Sequence, residues 1–117
     1  MLEGMSTLFS KIIDKQIPAK IVHEDELCLA FHDIHPQAPT HILIIPKKEI
    51  RSMAEITEED KVILGHLMFT ANQIAEKVGV KDKGYRLVVN TNQWGGQTVY
   101  HLHIHLLSGR ALSWPPG

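Results

Sequence analysis

The 117-residue chain predicts an α+β domain with a mainly antiparallel sheet. Three observations carry this. Short β-branched or aliphatic runs come in neighbouring pairs, and one long stretch of helical periodicity interrupts them. A last run, His101-Leu102-His103-Ile104-His105-Leu106-Leu107, alternates histidine with aliphatic residues at period two. The length suits a single domain, 1–117, with 1–6 as a frayed start, Met5 as an alternative first residue, and 108–117 as an irregular tail.

The elements follow in order. Residues 7–15 read as a short helix, because Leu8/Ile12 and Phe9/Ile13 pair at i, i+4, and Ile17-Pro18 ends it. Residues 21–24 and 27–33 read as strands joined at Asp25-Glu26. On the second, Leu27, Leu29, Phe31 and Asp33 share a face. Pro36-Gln37-Ala38-Pro39 is a loop, and His41 to Ile45 is a β-branched strand stopped by Pro46. Thr57 with Asp60 three residues on is a capping box. It opens a helix over 58–78 that carries Ile63, Leu64, Leu67, Met68, Ala71, Ile74 and Ala75 at helical spacing, with Gly79 as its stop. Residues 84–91 form a strand, Asn92 to Gly96 a loop, and the histidine run the last strand. The long helix is apolar around much of its girth, more than one sheet contact needs, which predicts a homodimer that Gly65 would let approach closely.

Lys and Arg number 12 against 13 Asp and Glu, with no basic cluster, which argues against a nucleic-acid partner. Cys28 is the one cysteine, so no disulfide framework exists and a reducing compartment is favoured. The first residues lack a charged-then-apolar leader and no window approaches a membrane span. The expectation is a soluble cytoplasmic protein, or a nuclear one in a eukaryotic source.

In a strand the three imidazoles point one way while Leu102, Ile104 and Leu106 point into a core. A half-buried strand with no chemistry to perform carries Thr, Lys or Glu on its outer face, so a structural role alone explains the row poorly. A metal site is a second reading, since same-face neighbours lie about 6.6 Å apart, but the outer two lie about 13 Å apart and cannot share one ion. Two of them completed by His41 or His35 would be needed. The third reading is nucleophilic catalysis on phosphorus: a central neutral imidazole attacks, one neighbour meets the phosphate or leaving group, and the other fixes orientation. The preceding turn supports it. Gly95-Gly96 lets backbone N–H groups face an anion, and Asn90, Gln97 and Thr98 offer neutral donors. Phe31 and Asp33 have the spacing for an aromatic that stacks a base and a carboxylate that grips ribose hydroxyls.

Taken together, these residues resemble the histidine-triad family, and within it the Hint (histidine-triad nucleotide-binding) branch. The likeness runs through Phe9-Ser-Lys-Ile-Ile13, Ala30-Phe-His-Asp-Ile34, Pro36-Gln-Ala-Pro-Thr-His41, Gly95-Gly-Gln97, Tyr100 to Leu107, Gly109-Arg110 and the Trp114-Pro-Pro-Gly117 end. The resemblance implies a five-stranded sheet in each subunit of a homodimer, the two sheets joining across the pair. It implies a hydrolase of purine nucleoside 5′-phosphoramidates that releases AMP or GMP and an amine, acyl-adenylates also falling within its range, with no cofactor and no metal. By position it makes His103 the nucleophile, His105 the contact to phosphate and leaving group, and His101 and His41 the residues that orient the site. Asn90, Gly96, Gln97 and Thr98 would bind phosphate beside His103 and His105, and Asp33 the ribose. Leu8, Phe9, Ile12, Phe31, Ile34 and Leu43 would line the base pocket, and Trp114 would reach the partner's site. Thr98 stands where the family usually has Ser, Ser108 where it has Gly, and His35 where close relatives often have Ser. A nucleotide-sensing interaction module, with Trp94 and Trp114 as contacts, is the competing class of function.

Overall fold

A computed structural model of the chain describes residues 7–117; the frayed start expected at 1–6 lies outside them. Helix α1, Leu8–Ile13, is capped by Thr7, whose hydroxyl accepts from the Ser10 amide. Strands β1 (Ile21–Glu24), β2 (Cys28–His32) and β3 (Thr40–Pro46) follow. Then come helix α2 (Lys61–Lys77) and strands β4 (Arg86–Val88) and β5 (Ile104–Ser108). The five strands form one antiparallel sheet in the order β1-β2-β3-β5-β4. This is the predicted α+β architecture.

The period-two pattern decides which layer each residue joins. Ala30, Ile42, Ile44, Ile104 and Leu106 project to one face, where Ile63, Leu67, Ala71 and Ile74 of α2 close the larger core. Leu29, Phe31, Leu43 and Ile45 project to the other, where Phe9 and Ile12 of α1 cover part of it. A six-residue helix cannot shield a whole sheet, so His41, His103 and His105 are left beside it on that same face.

Three element predictions are corrected. The long helix does not start at 58: Glu58–Asp60 is a 3-10 turn closed by the capping box, in which Asp60 Oδ2 accepts from the Thr57 amide at 2.9 Å. The strand expected over 84–91 shrinks to Arg86–Val88, because its pairing with β5 ends at Val88–His105. The histidine strand likewise begins only at Ile104. Upstream of it the chain turns towards the segment that follows β3, where the Leu102 amide donates to the Ile50 carbonyl at 2.7 Å. Leu102 nevertheless sits in the α2-side core, so the alternation of faces survives without ladder pairing. The replacement at Ser108 has a structural use, since its buried hydroxyl donates to the Gly84 carbonyl at 2.6 Å and ties β5 to the start of β4.

Candidate active site

His105 lies on β5 opposite Leu43 of β3, and His41 lies two residues before Leu43, so both imidazoles stand on the α1 face. Their nitrogens meet at 2.8 Å, His41 Nε2 to His105 Nδ1. The His103 and His105 rings are 4.9 Å apart between centroids, closer than their backbone spacing, because they lean together edge to face. Phe9 stands over this row, 5.0 Å from His103 and 5.6 Å from Phe31.

The hydrogen bonds fix every tautomer. The Gln37 amide donates to His41 Nδ1 at 3.0 Å, so that nitrogen is unprotonated and the proton is on Nε2. His41 Nε2–H therefore donates to His105 Nδ1, and His105 carries its own proton on Nε2. That Nε2 is buried with no partner among the described residues, a donor with nothing to donate to. His103 Nδ1 faces the His101 carbonyl at 2.7 Å, which can only accept. Its proton is thus on Nδ1, and the Nε2 lone pair is left free. His101 is held in turn by donating Nε2–H to the Pro46 carbonyl at 2.8 Å. Burial pushes all four histidines below the ordinary imidazole value, His105 to about 4 with help from neighbouring His103 and His41. The row is neutral at pH 7: one lone pair beside one N–H donor.

A cavity of about 430 Å³ opens onto His103, His105 and His41. Leu8, Phe9, Ile12, Phe31, Ile34 and Leu43, the residues expected to hold a base, line it together with Asp33 and Thr98. The Asp33 carboxylate is anchored by the His35 amide at 2.8 Å and lies 3.5 Å from His41 Nε2. His35 is also at the lining. Ile34 is 79% exposed, a greasy flap at the mouth. A larger cavity, about 880 Å³, is lined by charged residues such as Lys48, Glu49 and Arg51 and holds none of these histidines.

Other sequence-selected residues lie apart from the cavity wall. The Gln97 carboxamide serves the loop, donating to the Arg51 and Val99 carbonyls and accepting from the Asn92 amide. Gly96 adopts φ +83°, which a side chain would resist, at the end of that turn. Asn90 is half-buried just beyond β4, and Trp114 is exposed in the tail, next to Ser113, whose carbonyl accepts from Arg86. The sequence reading missed Gln37 and Pro46, which act through backbone groups that no residue pattern reveals. It also missed Ile17, Pro18 and Val99 in the cavity wall.

The HIT domain model matches residues 14–112. The chain belongs to the HIT family. It is 60% identical over 111 residues to an uncharacterized HIT-like protein of Synechococcus elongatus, covering 95% of this chain and 96% of that one. It is similar in structure to a HIT family hydrolase from Legionella pneumophila, with a TM-score of 0.94 and 50% identity over 96% of this chain and 100% of the other. A histidine triad protein from Clostridium difficile gives a TM-score of 0.90 at 40% identity, over 93% and 95%. The chain is accordingly a HIT family, hydrolase-like protein. Among its described residues no helix is long and apolar enough to cross a membrane.

Proposed function

We propose that this HIT protein is of the Hint type and hydrolyses purine nucleoside 5′-phosphoramidates through a nucleotidyl intermediate on His103. The observation that carries the reading is the tautomer pattern: an Nε2 lone pair on His103 beside an unpartnered Nε2–H on His105, at the end of an apolar cavity with Asp33 at its side. The purine packs among Phe9, Phe31, Ile34 and Leu43, and Asp33 accepts from the ribose hydroxyls. His105 Nε2–H donates to a phosphoryl oxygen, and the Thr98 hydroxyl and turn amides add neutral donors. His103 Nε2 forms a bond to phosphorus, and the P–N bond breaks with its electron pair going to a nitrogen already protonated from solvent. Water then attacks the same phosphorus and gives up a proton to solvent, replacing the one taken by the leaving nitrogen, while the P–N bond to His103 breaks and the lone pair returns to Nε2. Nucleoside monophosphate and amine are released, and one water is consumed.

A cation at Asp33, His41 and His105, whose ligand atoms lie within 4.8 Å, is disfavoured by the donor set. Both His41 nitrogens are already committed, one to Gln37 and one to His105. The reading includes a homodimer, for which Val62 and Phe69, two turns apart on α2 and 78% and 63% exposed, supply apolar surface. A monomeric mass in solution overturns that part alone.

The test is mass spectrometry of the protein quenched during turnover of an adenosine phosphoramidate. Wild type should carry one nucleotidyl group. His103→Asn should lose both adduct and turnover while still binding AMP. Undiminished turnover in that variant refutes the mechanism.

A further inference from the structure

A second histidine cluster lies on the α2 face of the sheet, away from the imidazole row. Its origin is a bulge in β1. Ile21 pairs with Phe31, but His23 pairs with Ala30, one residue out of step. The slip turns His23 to the face that Ala30 shares with α2, whereas a regular ladder would have paired it with Leu29 and sent it to the other side. There His23 Nε2 stands 2.7 Å from Asp25 Oδ2, and His66 Nε2, from α2, stands 2.8 Å from the same oxygen. The Cys28 sulfur, wholly buried, is 3.5 Å from it. The other carboxylate oxygen is taken by the Leu27 and Cys28 amides, so Asp25 cannot swing away.

We propose that His23, Asp25 and Cys28, with His66 as fourth donor, form a binding site for a divalent transition-metal ion of the zinc type. Nothing in the proposed hydrolytic mechanism uses these residues. The ligand atoms of His23, Asp25 and Cys28 already lie within 4.8 Å of one another. Tetrahedral zinc with sulfur at about 2.3 Å and nitrogen or oxygen at about 2.0 Å sets S···O near 3.5 Å and N···O near 3.3 Å. The sulfur–oxygen distance therefore fits as it stands, and His23 needs to retreat from Asp25 by about half an ångström as a cation replaces the shared proton. His66, which lies outside the set within 4.8 Å of one another, swings inward to complete the tetrahedron. Two nitrogens, a carboxylate and a thiolate suit zinc by softness and geometry.

An orphaned group on α2 supports the same conclusion. The Thr70 hydroxyl, one turn after His66, is buried with no hydrogen-bond partner among the described residues. A bound cation holds Cys28 as a thiolate, and Thr70 then supplies the outer hydroxyl donor that a metal-bound thiolate needs. Binding is balanced by one proton: the thiol loses it to solvent as the metal–sulfur bond forms, Asp25 enters as carboxylate, and each imidazole shifts its proton from Nε2 to Nδ1. Two anionic ligands then offset the two positive charges.

The test titrates metal-stripped full-length protein with Zn²⁺ and, separately, with Co²⁺ under reducing conditions. The expected result is one equivalent per chain, release of about one proton, a cobalt–thiolate charge-transfer band and a raised Tm. His23→Gln, at a half-buried surface site, should weaken Zn²⁺ binding more than about 100-fold, and Thr70→Val by about 10- to 100-fold. Cys28→Ser should erase the band, and His105→Ala should leave the titration unchanged. Absence of stoichiometric binding in wild type overturns the proposal. So do unchanged affinity in His23→Gln, or binding that only His105→Ala removes. Because wild type with cobalt reports the thiolate directly, misfolding of the Cys28 variant would not rescue a failed proposal.

Discussion

Replacing His41 with Phe isolates the contribution of the relay that fixes His105. Phe keeps the ring volume on the α1 face but deletes the Nε2–H that reaches His105 Nδ1 at 2.8 Å and the acceptor used by the Gln37 amide at 3.0 Å. His105 Nδ1 is then left unpaired in a low-dielectric site, a penalty of about 1–3 kcal/mol. The imidazole escapes it by swapping tautomer or rotating. An even split of tautomers alone would halve the population carrying Nε2–H, a loss of only about twofold. Loss of orientation adds the rest, so kcat should fall about 10- to 100-fold, equivalent to about 1.4–2.7 kcal/mol of transition-state stabilisation. The assay is steady-state hydrolysis of a fluorogenic adenosine phosphoramidate, with AMP affinity measured separately and expected to stay constant, since the apolar cavity wall is untouched. Nitrogen NMR supplies a readout that simple destabilisation would not move: His105 should show protonated Nε2 and bare Nδ1 in wild type, and a mixture in the variant. A kcat within twofold of wild type, together with an unchanged His105 spectrum, refutes the relay.

Five further outcomes follow from the same structure. His105 is depressed from 6.5 to about 4 by burial and its imidazole neighbours, so the unfolded chain binds a proton that the folded one rejects. Stability should be constant above pH 6.5 and fall between 6.5 and about 4, by up to about 3 kcal/mol from this residue, as urea midpoints across that window would show. Burial also lowers His103 and keeps its lone pair available, so kcat/KM should not fall as pH drops from 8 to 6.5, and a decline already under way at pH 7 would contradict it. Asp60→Ala removes the capping box and strands Lys48, whose ammonium sits 2.6 Å away, and should cost about 1–2 kcal/mol in thermal unfolding without altering kcat. Leu67→Ala empties a fully buried position under α2 and should cost about 2–5 kcal/mol. Gly95→Ala drives a methyl into the Thr91 backbone carbonyl, so the turn must move and carry Thr98 with it, which should lower both kcat/KM and the melting temperature.

Residues whose role depends on chain periodicity were legible from the sequence. Leu102, Ile104 and Leu106 occupy the α2-side core as alternation required, even though the ladder does not reach Leu102. The Thr57–Asp60 box was legible because its partners are three residues apart. Residues 84–91 misled because β-branched composition marks a capacity to pair, while the partner strand sets how much pairing occurs, and β5 pairs only Arg86, Leu87 and Val88.

By itself the sequence determined the fold class, the two faces of the sheet and the membership of the imidazole row, because each follows from spacing along a few residues. The tertiary structure decided what the imidazoles can do. A tautomer depends on the group opposite the ring, and those groups come from far away: the Pro46 carbonyl meets His101 across 55 positions, and His41 meets His105 across 64. The same holds at the bulge, where a one-residue slip in β1 moves His23 to the face of Asp25, Cys28 and His66. Period two places side chains on faces. Only packing brings two faces, a carbonyl or a second helix within hydrogen-bonding distance.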